Sequence, residues 1–154
     1  MERTVILMKP DALQRGLIGE LLLRFERKGL QIIGLKMMSI SDLQVEEHYA
    51  HHKDKPFFGG LKQFMQSAPV VAVALQGVDA IEAVRIIVGP TKGRVAPAGT
   101  IRGDFAMSMQ ENLVHASDSV ETAAAELTRF FAMDDLHAYE RADLAWIYAE
   151  DERS

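Results

Sequence analysis

Apolar residues in this chain recur with two different periods, and the switches between them mark out its elements. Thr4-Val5-Ile6-Leu7-Met8 is an unbroken apolar, β-branched run, which predicts a buried strand ended by Lys9-Pro10-Asp11. Leu17, Ile18, Leu21, Leu22 and Phe25 then follow helical spacing. Glu20, Arg24, Glu26 and Arg27 fill the opposite face, and Gly29 stands where a helix C-cap is expected. Gln31 to Met38 predicts a second strand and Val70 to Leu75 a third. Between them, Ser41-Asp42-Leu43-Gln44 has the pattern of a capping box opening a helix through about Ala50. Pro56-Phe57-Phe58-Gly59-Gly60 reads as a turn before a short helix over Leu61 to Met65. Val78, Ile81, Val84, Arg85 and Val88 predict a further helix, closed by Gly89-Pro90. Thr91 to Gly99 is a long loop of little periodicity, a kind that often carries function. Asn112 to Ala116 gives the last strand, and Asp118-Ser119-Val120-Glu121 a second capping-box pattern for a helix over Ser119 to Phe131. After Tyr148 the tail is too polar to be core.

The order β-α-β-α-β-α-β with helical extras predicts an α+β fold: a ferredoxin-like βαββαβ sandwich with an antiparallel four-stranded sheet and extra helices, one domain over residues 1–154. No internal repeat or linker interrupts it. Aromatics make up 7% of residues against eight methionines, so the core is aliphatic with adaptable filler rather than a stacking surface for nucleic acid. The net charge of −5 offers no general trap for DNA, RNA or anionic lipid, so any anion site must be local. The absence of cysteine excludes disulfides, thiolate catalysis and cysteine-based zinc sites. With no signal-peptide layout and no apolar run of membrane-spanning length, a cytoplasmic protein is expected.

The chemistry concentrates around Asn112-Leu113-Val114-His115-Ala116-Ser117-Asp118-Ser119. A histidine at a strand end, followed by small polar residues, is a seat for an imidazole nucleophile. Neutral imidazole attacks phosphorus well near neutrality, and phosphorylated imidazole leaves well. Glu126, on the following helix, is a candidate to hold one ring nitrogen, with Ser117 bridging the two. Taken alone, His115 reads better as a structural histidine, Glu126 as a solvated helix residue and Ser117 as a turn hydroxyl, and Asp118 reads as a helix N-cap. His48, His51, His52 and His137 lie on polar, helix-like stretches and are expected to be solvated. No G-x-x-x-x-G-K-[ST] or G-x-G-x-x-G occurs, so a nucleotide would be held by side chains: Lys9, Arg85, Thr91 and Arg102. Each arginine alone reads as well as a surface ion pair, and Tyr49 and Phe57 as local packing.

Together these segments resemble the nucleoside diphosphate kinase family from Arg3 to Tyr148. The resemblance rests on Lys9-Pro10-Asp11 with Gln14-Arg15-Gly16-Leu17, on Lys55-Pro56-Phe57-Phe58, on Gly99-Thr100-Ile101-Arg102-Gly103-Asp104, on Asn112-x-x-His115-x-Ser117-Asp118-Ser119 and on Trp146-Ile147-Tyr148. It implies a ping-pong transfer of the terminal phosphate of a nucleoside triphosphate to a nucleoside diphosphate, with broad base and sugar tolerance. His115 is then the nucleophile, phosphorylated on Nδ1, with Glu126 and Ser117 orienting it. Lys9, Tyr49, Arg85, Thr91 and Arg102 line the phosphates, and Lys9 and Asn112 reach the ribose. Phe57 stacks on the base, with Leu61 nearby and Met109 on the other face. Mg²⁺ is implied as the cofactor, held through the nucleotide phosphates rather than by protein ligands. A homo-oligomer, a hexamer built as a trimer of dimers, is implied as well. Ala116, Gly93 and Pro97 depart from the common family pattern. Gly93 and the shifted proline predict a floppier loop and a weaker trimer contact, with the tail from Trp146 to Ser154 reaching a neighbouring subunit. Two other classes explain parts of the pattern: a silent relative that only binds nucleotide or protein, and a ferredoxin-like ligand sensor.

Overall fold

The computed structural model of the protein describes residues 1–153, so Ser154, at the end of the predicted tail, lies outside the described residues. Strands β1 (Glu2–Met8), β2 (Gln31–Met38), β3 (Val70–Gly77) and β4 (Val114–Ala116) form one antiparallel sheet in the order β2-β3-β1-β4. Helices α1 (Pro10–Gln14) and α2 (Ile18–Lys28) join β1 to β2. Helices α3 (Asp42–His48) and α4 (Phe58–Met65) lie between β2 and β3, and α5 (Ala80–Val88) and α6 (Ile101–Phe105) between β3 and β4. Helices α7 (Val120–Phe130) and α8 (Leu144–Ile147) follow β4. This is the predicted βαββαβ frame, with α3 and α4 inserted where the frame has a hairpin.

Strand β1 reads as continuously apolar because both its faces are covered. Ile6 and Met8, with Val71, Val73 and Leu75, share one core with Leu21 and Phe25 of α2 and Val84 and Val88 of α5. Val5 and Leu7, with Val70, Ala72 and Ala74, share the other with Val45 of α3, Met65 of α4 and Phe130 of α7. β1 pairs with β3 on one edge and β4 on the other, Leu7 standing opposite His115.

Several boundaries differ from the sequence expectation, among them those around the site. β4 begins at Val114, because Leu113 has φ 75° and cannot extend the strand. Helix α3 stops at His48 and gives way to a 3-10 turn over Ala50–His52. Helix α4 begins at Phe58, with Gly59 and Gly60 inside its first turns facing open space. Helix α7 is capped by Ser119, not Asp118: the Ser119 hydroxyl accepts from Thr122 N at 3.1 Å, and Asp118 stays exposed outside the helix. That start turns Ala123, Glu126 and Phe130 inward. The capping box at Ser41 and Gln44 and the left-handed Gly29 C-cap match the expectation.

The Thr91–Gly99 loop is pinned rather than loose. Gly93 N donates to Ser108 O at 3.2 Å, and Arg94 to Met107 O at 3.3 Å. Arg24 of α2 donates to Gly99 O and pairs with Asp104 at 2.7 Å, while Asp104 accepts from Gly99 N. Gly93 is buried, and a Cβ there would lie 2.4 Å from Ala106 O, so this glycine permits close packing instead of loosening the loop. The tail also departs from expectation. Ile147 covers Gly29, and the Tyr148 hydroxyl accepts from Val78 N at 3.2 Å, so both dock on their own chain. Trp146 alone is turned out, 89% exposed.

A Cβ on Gly103 would fall 1.9 Å from Pro97 O, and Gly103 N also satisfies the Thr100 cap of α6. Gly103→Ala is therefore expected to destabilise the fold by about 2 kcal/mol, whereas Gly59→Ala, in open space on α4, is expected to be neutral or slightly stabilising. Paired thermal melts compare them; equal midpoints would remove the steric argument.

Candidate active site

The site assembles where β1 ends beside β4. Pro10 begins α1 at a position where its missing N–H costs nothing, which leaves Lys9 as the extended residue between strand and helix. Lys9 N donates to Leu113 O at 2.8 Å, and its ammonium turns inward to Asn112 Oδ1 at 2.7 Å and Gln110 O at 3.2 Å. Burial, and secondarily the Arg102 guanidinium, push the Lys9 pKa down to about 8. Asn112 spends both its amide hydrogens, Nδ2 donating to Thr91 O and Met109 O, while Oδ1 accepts from Lys9.

Leu113 follows in a tight γ-turn. Val114 N donates back to Asn112 O at 2.9 Å around its positive φ, a conformation that costs a side-chain-bearing residue roughly 1–3 kcal/mol. Asp11 Oδ2 accepts Leu113 N at 3.1 Å, and the fully buried leucine side chain anchors the turn in the core. Arg102 braces the same turn, donating to Asn112 O, Gly89 O and Val114 O. Burial, followed by the nearby charge of Arg85, lowers the Arg102 pKa to about 10. Three of a guanidinium's five N–H donors are thus committed to backbone, and the others remain for a ligand.

The turn delivers His115 onto the face of the sheet that α3 and α7 cover. Its Nε2 lies 2.7 Å from Glu126 Oε1. Ser117 donates to Glu126 Oε2 at 2.6 Å and accepts from Val5 N at 3.2 Å. Ser117 therefore does not bridge histidine and glutamate, as the sequence suggested; it braces the far side of the carboxylate and ties it to β1. Glu126 is buried between His115 and Ser117, and its contact is with Nε2, so His115 Nδ1 is the ring nitrogen that the carboxylate does not engage.

The remaining predicted residues surround this core unequally. Tyr49 is buried; burial, then the Glu126 carboxylate, holds its hydroxyl protonated by raising its pKa, and the hydroxyl meets no partner among the described residues. Arg85 lies in the last turn of α5, exposed but close enough for its charge to depress Arg102. Thr91 is tied in only through its carbonyl. Phe57 is 47% exposed and connects to His115 through an aromatic file: Phe57 to His52 at 5.1 Å, His52 to Tyr49 at 6.4 Å, Tyr49 to His48 at 4.5 Å and His48 to His115 at 4.2 Å between centroids. Leu61 is buried in the core beneath α4, and Met109 is exposed.

Two residues were missed in the sequence. Asp11 was quoted only as part of a motif, yet it holds the γ-turn. His48 was expected in solvent but is buried, as Val45 three positions earlier on the same helix face could have signalled. Among the described residues, His48, His115 and Glu126 form one group whose ligand-type atoms lie within 4.8 Å of one another. Two imidazoles and one carboxylate are not the oxygen-rich set that Mg²⁺ takes.

Known proteins resemble this chain in sequence and fold over almost its whole length. A family model described as nucleoside diphosphate kinase matches residues 2–136. The nucleoside diphosphate kinase of Parabacteroides distasonis is 53% identical over 152 residues, 99% of each chain, and that of Archaeoglobus fulgidus 49% identical over 97% of this chain and 99% of its own. The halophilic nucleoside diphosphate kinase of Halobacterium salinarum, solved in complex with CDP, superposes with a TM-score of 0.94 at 44% identity, covering 96% of this chain and 99% of that one. A Babesia bovis nucleoside diphosphate kinase family protein gives 0.93 at 47%, covering 96% and 100%. With likeness of this extent in sequence and in fold, the chain belongs to the nucleoside diphosphate kinase family.

Proposed function

We propose that this chain transfers the terminal phosphate of a nucleoside triphosphate to a nucleoside diphosphate by a ping-pong route through phosphohistidine on His115. The observation that carries the reading is the 2.7 Å contact between His115 Nε2 and Glu126. With the proton on Nε2, the Nδ1 lone pair attacks the γ-phosphorus. The bond from that phosphorus to the bridging oxygen breaks, and the nucleoside diphosphate leaves with the electron pair. Positive charge on the phosphorylated ring is met by Glu126, itself braced by Ser117. A terminal phosphate oxygen of the acceptor then attacks the same phosphorus, and Nδ1 recovers its electron pair. One site serves both halves, so the protein's work is positioning and charge stabilisation.

In this reading Lys9, Arg85, Arg102, Thr91 and the Tyr49 hydroxyl receive the phosphates. Lys9 and Asn112 also meet the ribose. Phe57 stacks on the base, with Leu61 behind it and Met109 across. The half-exposed Phe57 ring supports binding by stacking, which discriminates weakly among bases, and CDP in the halobacterial relative supports acceptance of a pyrimidine. Mg²⁺ would come with the nucleotide substrate and would supply neutralisation of phosphate charge; the imidazole-rich cluster at His115 is unsuited to hold it.

The working unit is one domain over residues 1–154, cytoplasmic, with no specific nucleic-acid partner. Among the described residues, no helix is long and apolar enough to cross a membrane. It assembles as a homo-oligomer, a hexamer built as a trimer of dimers. β2 is a sheet edge and carries Leu35 and Met37, 51% and 61% exposed, a surface that a second copy would cover. Ile86 and Val95 expose a further apolar surface on α5 and in the Thr91–Gly99 loop.

Brief exposure to γ-labelled ATP and Mg²⁺ is expected to leave base-stable, acid-labile label on the protein, and His115→Ala is expected to lose both label and turnover while keeping its fold by circular dichroism. Turnover by that folded variant would end the phosphohistidine reading.

Lys9 gives a pH dependence. Bound phosphate stabilises the ammonium and raises its pKa above the free value of about 8, so nucleotide affinity is full below that pH and declines above it. The limiting slope is about tenfold per pH unit. Titration calorimetry between neutral and alkaline pH should show this decline in the native protein and a flat response in Lys9→Met.

Sedimentation is expected to show a hexamer, and Leu35→Glu with Met37→Glu to break it into smaller species. A native protein sedimenting as a monomer would overturn the assembly, and a tetramer its trimeric part.

A further inference from the structure

We infer that His48 is a positioning residue for His115, acting through Glu126: its neutral imidazole directs an Nδ1–H at the carboxylate oxygen that holds His115. This rests on the phosphohistidine reading above. The His48 side chain is 1% exposed, and neither ring nitrogen meets a hydrogen-bond partner among the described residues. Leaving a buried imidazole unpaired costs stability, and an apolar ring would fill the same space without that cost. What sets His48 apart is its surroundings. Its ring stands edge-on to His115 at 4.2 Å between centroids and 82° between planes, and also packs on Tyr49 and Phe130. Its Nδ1 lies 3.5 Å from Glu126 Oε1, the oxygen that His115 Nε2 approaches to 2.7 Å.

A carboxylate beside Nδ1 favours the tautomer with hydrogen on that atom. His48 then adds to the positive potential on Oε1 without bringing a charge. The groups around it keep it neutral: burial first, then His115, Arg129, Lys9 and His51, together pushing its pKa down to about 2, with Glu126 and the protonated Tyr49 as its other polar neighbours. A second donor on Oε1 makes Glu126 a weaker base. It therefore holds the Nε2 proton of His115 without stabilising a doubly protonated ring, and Nδ1 stays free at lower pH. The 82° packing also fixes the plane of the His115 ring.

Two substitutions separate donor from ring. His48→Phe keeps the aromatic wall and removes the donor; His48→Asn keeps a donor near the place of Nδ1 and removes the wall. Rapid-quench measurement of phosphoenzyme formation from MgATP, as a function of pH, is the readout. His48→Phe is expected to move the acid limb upward and to slow phosphorylation about tenfold on that limb, with His48→Asn returning the limb toward its native position. A native acid limb in folded His48→Phe, or no return in folded His48→Asn, overturns the proposal. ¹⁵N NMR of the unmodified protein tests it without any variant: His48 is expected as the Nδ1–H tautomer at neutral pH, and an Nε2–H tautomer overturns it. This spectrum reads His48 whether or not His115 carries phosphate, whereas loss of the base-stable label speaks only to the phosphohistidine reading.

Discussion

The antiparallel pairing of β1 with β4 is the contact on which the site depends. β4 is three residues long and pairs only with β1, yet it sets the positions of both His115 and Ser117. Ser117 closes the pairing twice, through its backbone N–H to Val5 O and its hydroxyl from Val5 N, and spends its own proton on Glu126. The carboxylate that contacts His115 is thereby tied to β1, an interior strand of the sheet. Such a brace turns a histidine on a short edge strand into one held to the tolerance that phosphoryl transfer requires.

Around this pairing, the site solves an electrostatic problem. The chain carries a net charge of −5, yet two cations, Lys9 and Arg102, sit partly out of water beside one another, and burial lowers the pKa of each. They persist because their hydrogen bonds go to neutral oxygens: the Asn112 amide and four backbone carbonyls. Neutral partners satisfy the donors without cancelling the charge. The site therefore keeps a concentrated positive potential for a polyanion, where an ion pair would have discharged it.

Much of this was legible in the sequence because periodicity reports burial directly. The covered strands β1 and β3, the α2 stop at Gly29 and the capping box at Ser41 were all read correctly, since each is set by local chemistry. His115, Glu126, Ser117, Lys9, Asn112 and Arg102 were named in advance, and the structure brings them together. What stayed hidden depends on long-range contacts. The γ-turn at Leu113 cannot be read from an apolar leucine in a strand-like run, because it needs Asp11 from the far end of the chain. Gly93 resembled a loosened proline until Ala106 was found against it. His48 looked solvated because its neighbours in sequence are polar, while its neighbours in space are rings.

The spacing of these contacts along the chain bears on synthesis at the ribosome. Leu113 reaches Asp11 across 102 positions, and Ser117 reaches Val5 across 112. β1 and β3 can pair as soon as residue 77 has emerged, but the other edge of β1 has no partner until Val114–Ala116 follow. During that interval a strand that is apolar from Val5 to Met8 carries an open row of backbone donors and acceptors, the surface on which nascent chains join one another. The brevity of β4 thus has a cost outside catalysis: three residues, made late, are all that close the edge of the strand that was made first.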